Sequence, residues 1–491
     1  MAFGIFPMGP IVTGFDTFAN GKGVVSEVLM FTGDMRGGFM VPAAVRGYLE
    51  GRGYLSGHLD AMDGHIAAWD AWMSSTGEFY DYRDTDGFGR TYSVHRRSIR
   101  PAMRVCQEWA SLLLNDKTTI TCDSANCTKW LRAFFSKNGF LARAQEAVVR
   151  SFGLGTGAWA IWCDLDAESI RVRFYDARMV VPLTWEDGVV TECAFVTRAY
   201  YRGQPVDQLQ MHLVDPLGYS IETVCFDKDG NEVECEGVRR VFYTFSEKPT
   251  FAIIRPAVEN TRVDMSPYGQ SVFADAVDAI QAVDLCFDAM VNEVDVSKMR
   301  VFLSDVMFEA GTDGKRGIAI PFGKGDCTVF RKVMSTEDTI QEFAPALRTE
   351  SQMRAFKTSL QMLGDLCGLG IDYFDFDSTG YVRTATEVSA DNSALMRNIR
   401  RHENALQGPI VQICRAVLEC ARRLGANLPR EGEIRVGFDD SIITDTTAEK
   451  RQDMDEFDRG LMQAWEYRCK WYGEDEQTAR ERSSASMGAA G

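Results

Sequence analysis

The chain reads as an α+β protein. Residues 41–152 and most of the chain after 266 repeat their apolar residues every three to four positions, as amphipathic helices do. Between them, residues 158–245 switch to a period of two, broken by Asp187-Gly188, Pro216-Leu217-Gly218 and Asp229-Gly230. Strands joined through tight turns make an antiparallel sheet. Helices segregated before and after it exclude an alternating βαβ architecture.

From the N-terminus, residues 1–40 are rich in Gly, Phe and Met without a period and read as an extended arm. Val41–Trp72 is helical, carried by Val45, Leu49, Tyr54, Leu59, Ile66, Trp69 and Trp72. Phe79–Tyr82 and Tyr92–Val94 predict a short strand pair around Asp86-Gly87. Ile99–Asn115 and Trp130–Phe152 predict two further helices. In Gly153-Leu154-Gly155-Thr156-Gly157 a helix precedes the glycines and a strand comes after them. A dinucleotide loop needs the reverse order, so this is a turn that lets sheet pack against helix. Ala158–Phe245 supplies five to seven strands, roughly counted from the turn signals.

The stretch Ser266–Lys298 organises the second half of the chain. Ser266 suits an N-cap and Pro267 the first helical position. Phe273, Val277, Ile280, Val283, Phe287, Met290/Val291 and Val294 form one apolar stripe on a helix of roughly 45–50 Å. Asp275, Asp278, Asp284, Asp288, Glu293 and Asp295 lie off that stripe, and taken alone this is a core helix with a solvated acidic face. Arg300–Ala344 is β-like and turn-rich. A second helical pattern starts near Leu347, a Gly/Asp/aromatic loop comes after Leu366, and Thr384-x-x-Glu387 is a capping box that opens a third long helix. Pro409 should kink that helix. A strand at Glu433–Phe438, helices from Thr446 and Glu474, and a Ser/Ala/Gly tail finish the chain.

Composition narrows the function. The 491 residues suffice for about two to four domains. A net charge of −17 excludes a broad basic face for nucleic acid, although DNA could be a neighbour that must not stick. The thirteen cysteines lack metal-type spacing and read as reduced and structural. The N-terminus lacks a signal-peptide pattern, and no run of 18 apolar residues spans a membrane. The five histidines form no zinc set, and there is no G-x-S-x-G elbow. Gly314-Lys315 is no P-loop, because Arg316 stands where a Ser or Thr must ligate magnesium. Asp439, Asp440 and Asp445 lack a calcium-loop pattern and suit strand-end and N-cap roles. Nothing points to catalysis, a metal or a cofactor.

Helix, small β module, helix, loop and long helix is the order of stem, clip, second stem helix, tunnel loop and wing helix in portal proteins of tailed bacteriophages. The residues resemble that family too, in the branch from siphophages of Gram-positive hosts. The similar pieces are AAWDAWMSSTGEFYDY, VCQEWASLLLNDKTTI with its Glu108-Trp109 pair, GLGTGAW, SPYGQSVFADAVDAIQAVDLCFDAMVNE, TATEV at Thr384–Val388 and FDDSIITD at Phe438–Asp445. They stand in the family's order over most of the chain. The resemblance implies an N-terminal arm at 1–40 and a wing at 41–265, helical over 41–152 and β over 153–265. It implies a stem helix at 266–299, a clip of small α/β type at 300–345 and a second stem helix at 346–367. A tunnel loop at 368–383, a kinked wing helix at 384–425 and a crown with a flexible tail at 426–491 complete it.

The resemblance also implies a homomeric ring, usually a dodecamer, at one vertex of the virion, made in the host cytoplasm. Double-stranded DNA passes through its channel without sequence-specific binding. Terminase, which hydrolyses the ATP, and a head–tail adaptor dock on it, and major capsid and scaffold proteins surround it. No membrane is involved. Asp278, Asp284, Asp288, Asp295 and Lys298 would face the channel from the stem. Asp372, Tyr373, Asp375, Phe376, Asp377 and Tyr381 would belong to the tunnel loop; the competing reading is a connector whose aromatics pack on the wing sheet. Lys315, Arg316, Lys324, Arg331 and Lys332 would form the docking surface of the clip. Two other functions stand beside this one: a non-portal ring or scaffold protein of a virion, and a cytosolic enzyme of unfamiliar type.

Overall fold

The structure is a computed structural model; it describes residues 41–54, 57–85, 89–115, 117–164, 169–235, 238–297, 300–304, 329–332, 341–343, 347–374, 393–438, 446–472, 478–480 and 482–483. The expected α+β class is what it shows, with antiparallel sheets between helical segments. Helices α1 (Ala43–Gly51) and α2 (Gly57–Ser74) replace the single helix expected over 41–72. The break falls at Gly53, whose φ of +91° ends the first helix. A hairpin of β1 (Asp81–Thr85) and β2 (Thr91–His95) comes next, then α3 (Pro101–Leu113) and β3 (Thr119–Cys122). The helix expected over 130–152 is two, α4 (Ala125–Asn138) and α5 (Phe140–Leu154), parted by Gly139 at φ +58°.

Two sheets face each other. The larger holds β6 (Val180–Glu186), β7 (Val189–Tyr201), β8 (Gln204–Asp215), β9 (Gly218–Phe226) and β10 (Glu232–Val233) in sequence order, with β11 (Val241–Ser246) also on β9. The smaller has β4 (Gly157–Asp164) between β5 (Ser169–Asp176) and β12 (Phe251–Ile254). Alternation decides which residue fills which core. Cys193 and Phe195 of β7, with Ala158 and Ala160 of β4, join one cluster that includes Tyr175 and Phe251. Ala194 and Val196, with Trp159 and Ile161, point the other way into the main core with the helices. Tyr48 of α1 meets Phe226 edge-on at 5.5 Å, so the first helices cover the outer face of the large sheet.

The glycine turn shows why small residues stand there. Gly155 has φ +80°, and a Cβ on it would come within 2.5 Å of the Gly269 carbonyl oxygen. The Gly269 amide donates to Thr156 Oγ1 at 2.9 Å. Two chain segments more than a hundred residues apart therefore touch backbone to backbone. This contact also moves the start of the long helix. Ser266–Phe273 is not helical: Ser266 Oγ accepts the Tyr268 amide (3.2 Å), the Tyr268 hydroxyl donates to Val180 O (2.7 Å), and Gln270 Oε1 accepts the Thr261 amide (3.0 Å). Its polar groups are spent on tertiary bonds. A 3₁₀ turn at Ala274–Ala276 leads into α6 (Val277–Val296), 20 residues and about 30 Å long.

After α6 the described residues give a three-stranded sheet. Its centre β13 (Arg300–Ser304) runs parallel to β14 (Val329–Lys332) and antiparallel to β15 (Gln341–Phe343). Helix α7 (Thr349–Leu366) returns along α6, and α8 (Ser393–Arg423) runs on through Pro409 against β12 and β4. The capping box at 384–387 lies outside the described residues. Strand β16 (Ile434–Gly437) pairs with β3, over three hundred residues upstream. The helix expected from Thr446 to Tyr467 is divided into α9 (Thr446–Asp458) and α10 (Ala464–Tyr472) at Gly460, φ +72°.

Candidate functional site

Helix α6 leaves the core part-way along its length. Ala276, Ala279, Ile280 and Val283 are buried, Phe287, Met290 and Val291 are half-buried, and Leu285 and Val294 stand 52% and 53% exposed. Its antiparallel partner is α7. Cys286 Sγ lies 3.7 Å from Ser359 Oγ, and near the other end Glu293 binds the Arg348 amide (2.8 Å), the Arg348 guanidinium (2.9 Å) and the Gln352 side chain. The Arg348 bonds hold the Glu293 carboxyl below its usual pKa.

The acids of α6 do not share one fate. Asp284 is fully buried, which corrects its assignment to a channel wall. It accepts hydrogen bonds from the Tyr80 hydroxyl (2.7 Å), Ser98 Oγ (2.7 Å) and the Ile99 amide (3.0 Å). Burial pushes its pKa up, against the pull of those donors and of Arg96. Asp288, half-buried, is corrected in the same way, whereas Asp295 stays exposed. Arg97 reaches Asp288 at 3.5 Å and Asp295 at 3.1 Å, and also binds Asn292. Positions 284, 288 and 295 fall on one helical face, and the segment 96–99 is laid along it. The part of this polar face at Asp284 and Asp288, read as solvated, is therefore a packing face. Asp278 is exposed, beside a cleft lined by His65, Trp69, Trp72, Arg262 and Asp275. Lys298 lies outside the described residues.

The loop after α7 is anchored where it begins. Cys367 and Leu369 are buried. The Trp109 indole donates to Cys367 O (3.1 Å), Asn398 donates to Gly368 O (2.8 Å), and the Tyr373 hydroxyl donates to Glu108 (2.7 Å). Phe374 packs against the main core. Tyr373 thus folds back on α3 and does not project, a correction of its tunnel-loop role, while Asp372 is exposed. Asp375, Phe376, Asp377 and Tyr381 lie outside the described residues. Beneath the anchor the His402 imidazole sits 4.5 Å from the Trp109 ring and 5.0 Å from Phe152, and accepts the Ala257 amide at 3.1 Å. Burial lowers its pKa to about 4, so it is neutral at physiological pH.

Of the clip residues, Arg331 and Lys332 lie on β14 opposite Leu303 and Ser304. Lys315, Arg316 and Lys324 lie outside the described residues. Sequence reasoning missed Arg97 altogether. It noticed Glu108-Trp109 only as a likeness, because a hydrogen bond to a residue about 260 positions away leaves no periodic trace.

The shape of the chain is similar to three solved structures. The neck of an empty gene transfer agent (GTA) particle computed with C6 symmetry shares 11% identity at a TM-score of 0.39, over 73% of this chain and 84% of that one. The virion of a native GTA particle gives 11% and 0.37, over 82% and 92%. The neck of a native GTA particle computed with C12 symmetry gives 12% and 0.34, over 75% and 87%. No curated protein matches. The family described as phage portal protein, SPP1 Gp6-like, matches residues 102–462. That span takes in α3 with its Glu108-Trp109 pair, both sheets, the α6–α7 pair and α8, and the chain belongs to this family of phage portal proteins.

Proposed function

We propose that the protein forms a closed homomeric ring, a dodecamer, at one vertex of a siphophage head from a Gram-positive host. Double-stranded DNA passes through the bore during packaging and ejection. Terminase docks on the clip and is later replaced by the head–tail adaptor, while capsid and scaffold proteins hold the rim. The chain itself hydrolyses nothing: the ATPase is the terminase.

Family membership supports this reading, and one feature of the chain carries it. The α6–α7 pair leaves Leu285, Val294, Met353, Met362 and Leu366 exposed along two helices that only partly meet the core. A head-to-tail neighbour would cover such a surface, and a rotation that closes makes a ring. A net charge of −17 suits a bore that phosphate must slide through. Of the acids first placed on that bore, the exposed Asp278 and Asp295 remain candidates. The clip cations and residues 375–383 keep their proposed roles as docking surface and tunnel loop.

Native mass spectrometry with electron microscopy of the purified protein tests the reading. A ring of about a dozen chains around an open channel is the expected result. A monomer or dimer at every concentration and salt would refute it.

A further inference from the structure

We propose that Glu108 and Trp109 of α3 are positioning residues, which fix where the chain leaves α7 and sets out into residues 375–392. The segment 367–374 needs such a tie. Gly368 and Gly370 sit at φ +76° and +96°, so the backbone here is freed from the limits that L side chains impose. Bonds within the loop come from its own turn, with the Leu369 and Gly370 amides both on Gly364 O (2.9 and 3.1 Å). They shape the turn but do not attach it to the body.

Attachment comes from two other helices. The fully buried Trp109 donates its indole N–H to Cys367 O, and Glu108, the preceding residue, takes the Tyr373 hydroxyl. One dipeptide thus grips the segment at both ends, six residues apart. Asn398 of α8 holds the Gly368 carbonyl between those grips. A Cβ at Gly368 would meet Asn398 at 3.0 Å, so the close fit depends on glycine. Glu108 is itself paired with Arg104 one helical turn back. Burial and the Glu108 carboxylate raise the Tyr373 phenol, which therefore stays a donor at physiological pH.

The consequence for DNA passage rests on the portal reading; the anchoring itself does not. The test uses full-length protein with Tyr373→Phe, Glu108→Ala and Glu108→Gln. Hydrogen exchange is monitored by mass spectrometry on peptides covering 367–374. A phenol bound to a carboxylate is among the stronger hydrogen bonds, so Tyr373→Phe and Glu108→Ala should speed exchange there roughly tenfold or more. Glu108→Gln, whose amide oxygen still accepts, should stay near the parent. Ring number and Tm should not move. In the phage that encodes the protein, the first two variants should lower the fraction of DNA-filled heads, and Glu108→Gln should restore it.

Unchanged exchange over 367–374, or a rise spread evenly over the chain, overturns the proposal. So does faster local exchange with a normal yield of filled heads. If the parent protein itself never supports filled heads, the portal reading falls while the exchange result still judges the anchor. Trp109→Phe probes the other grip; should it fail to fold, the Glu108 and Tyr373 variants decide alone.

Discussion

Asp284→Ala removes one acceptor from three donors at once. The Tyr80 hydroxyl loses a buried acceptor, the Ile99 amide loses one at a residue 40% exposed, where water replaces it, and Ser98 Oγ keeps Ser75 Oγ at 2.9 Å. The one buried stranded donor costs about 1–3 kcal/mol, and relief of the buried carboxylate returns part of that, leaving a net loss of about 1–2 kcal/mol. Urea unfolding monitored by tryptophan fluorescence measures it, since Trp72 lies 5.5 Å from Tyr80. Asp284→Asn should cost less, and its pH dependence is more telling. The folded pKa of Asp284 lies above the unfolded value, so the native state holds that proton more tightly. Its contribution is then fully present below the unfolded pKa and declines as pH rises through the folded one. Asparagine does not titrate. The deficit of Asp284→Asn should therefore shrink between acid and neutral pH. A deficit that grows instead would show that the donors outweigh desolvation, and an Asp284→Ala loss under about 0.5 kcal/mol would refute the buried network.

The geometry sets three further outcomes. Arg97→Ala should cost no more than about 1 kcal/mol at low salt and less at high salt, because Arg97 and Asp295 are both about half exposed; a salt-independent loss in urea titrations would contradict it. Gly155→Ala and Gly269→Ala should each abolish soluble expression at 37 °C or lower Tm steeply, since each new methyl meets the other segment's backbone; a Tm within a degree or two of the parent would dispose of the contact. On the open face of α6, Leu285→Asp should block ring assembly if that face meets a neighbour, whereas Asp278→Lys should leave rings intact and slow packaging at low salt if it lines the bore; native mass spectrometry and filled-head counts separate the two.

The sequence was most legible where a local period carried the information. The meander, the α3 stripe and the long apolar repeat of α8 appear in the structure close to where the pattern put them. It was least legible where a distant segment overrode a local signal. Ser266-Pro267 is a good helix start by every local rule, yet the Gly155 turn occupies the place that a helix at 269 would need. Glycine supplied the missing boundaries inside three predicted helices, at Gly53, Gly139 and Gly460, and it was weighted too lightly there. Asp284 shows the deeper limit. Off-stripe carboxylates on an amphipathic helix are usually solvated. Only the fold reveals that Tyr80 and Ser98 arrive to bury this one. The pairing of β3 with β16 is of the same kind, two short strands that no local pattern could join.

The same geometry decides the surface that α6 has left to offer. At ~100° per residue, its positions sort into four sides. Ala279, Ile280 and Val283 turn to the core, and Cys286 and Glu293 turn to α7. Asp284, Asp288 and Asp295 turn to the segment 96–99. The remaining side holds Asp278, Leu285 and Ala289, all exposed, with Asn292 at its edge beside Arg97. It carries one acid, not four, and a large aliphatic residue near its middle. A wall built to repel phosphate would not place leucine there, whereas a subunit contact would. The balance of residues therefore favours a protein contact over a bare acidic wall on this side of α6.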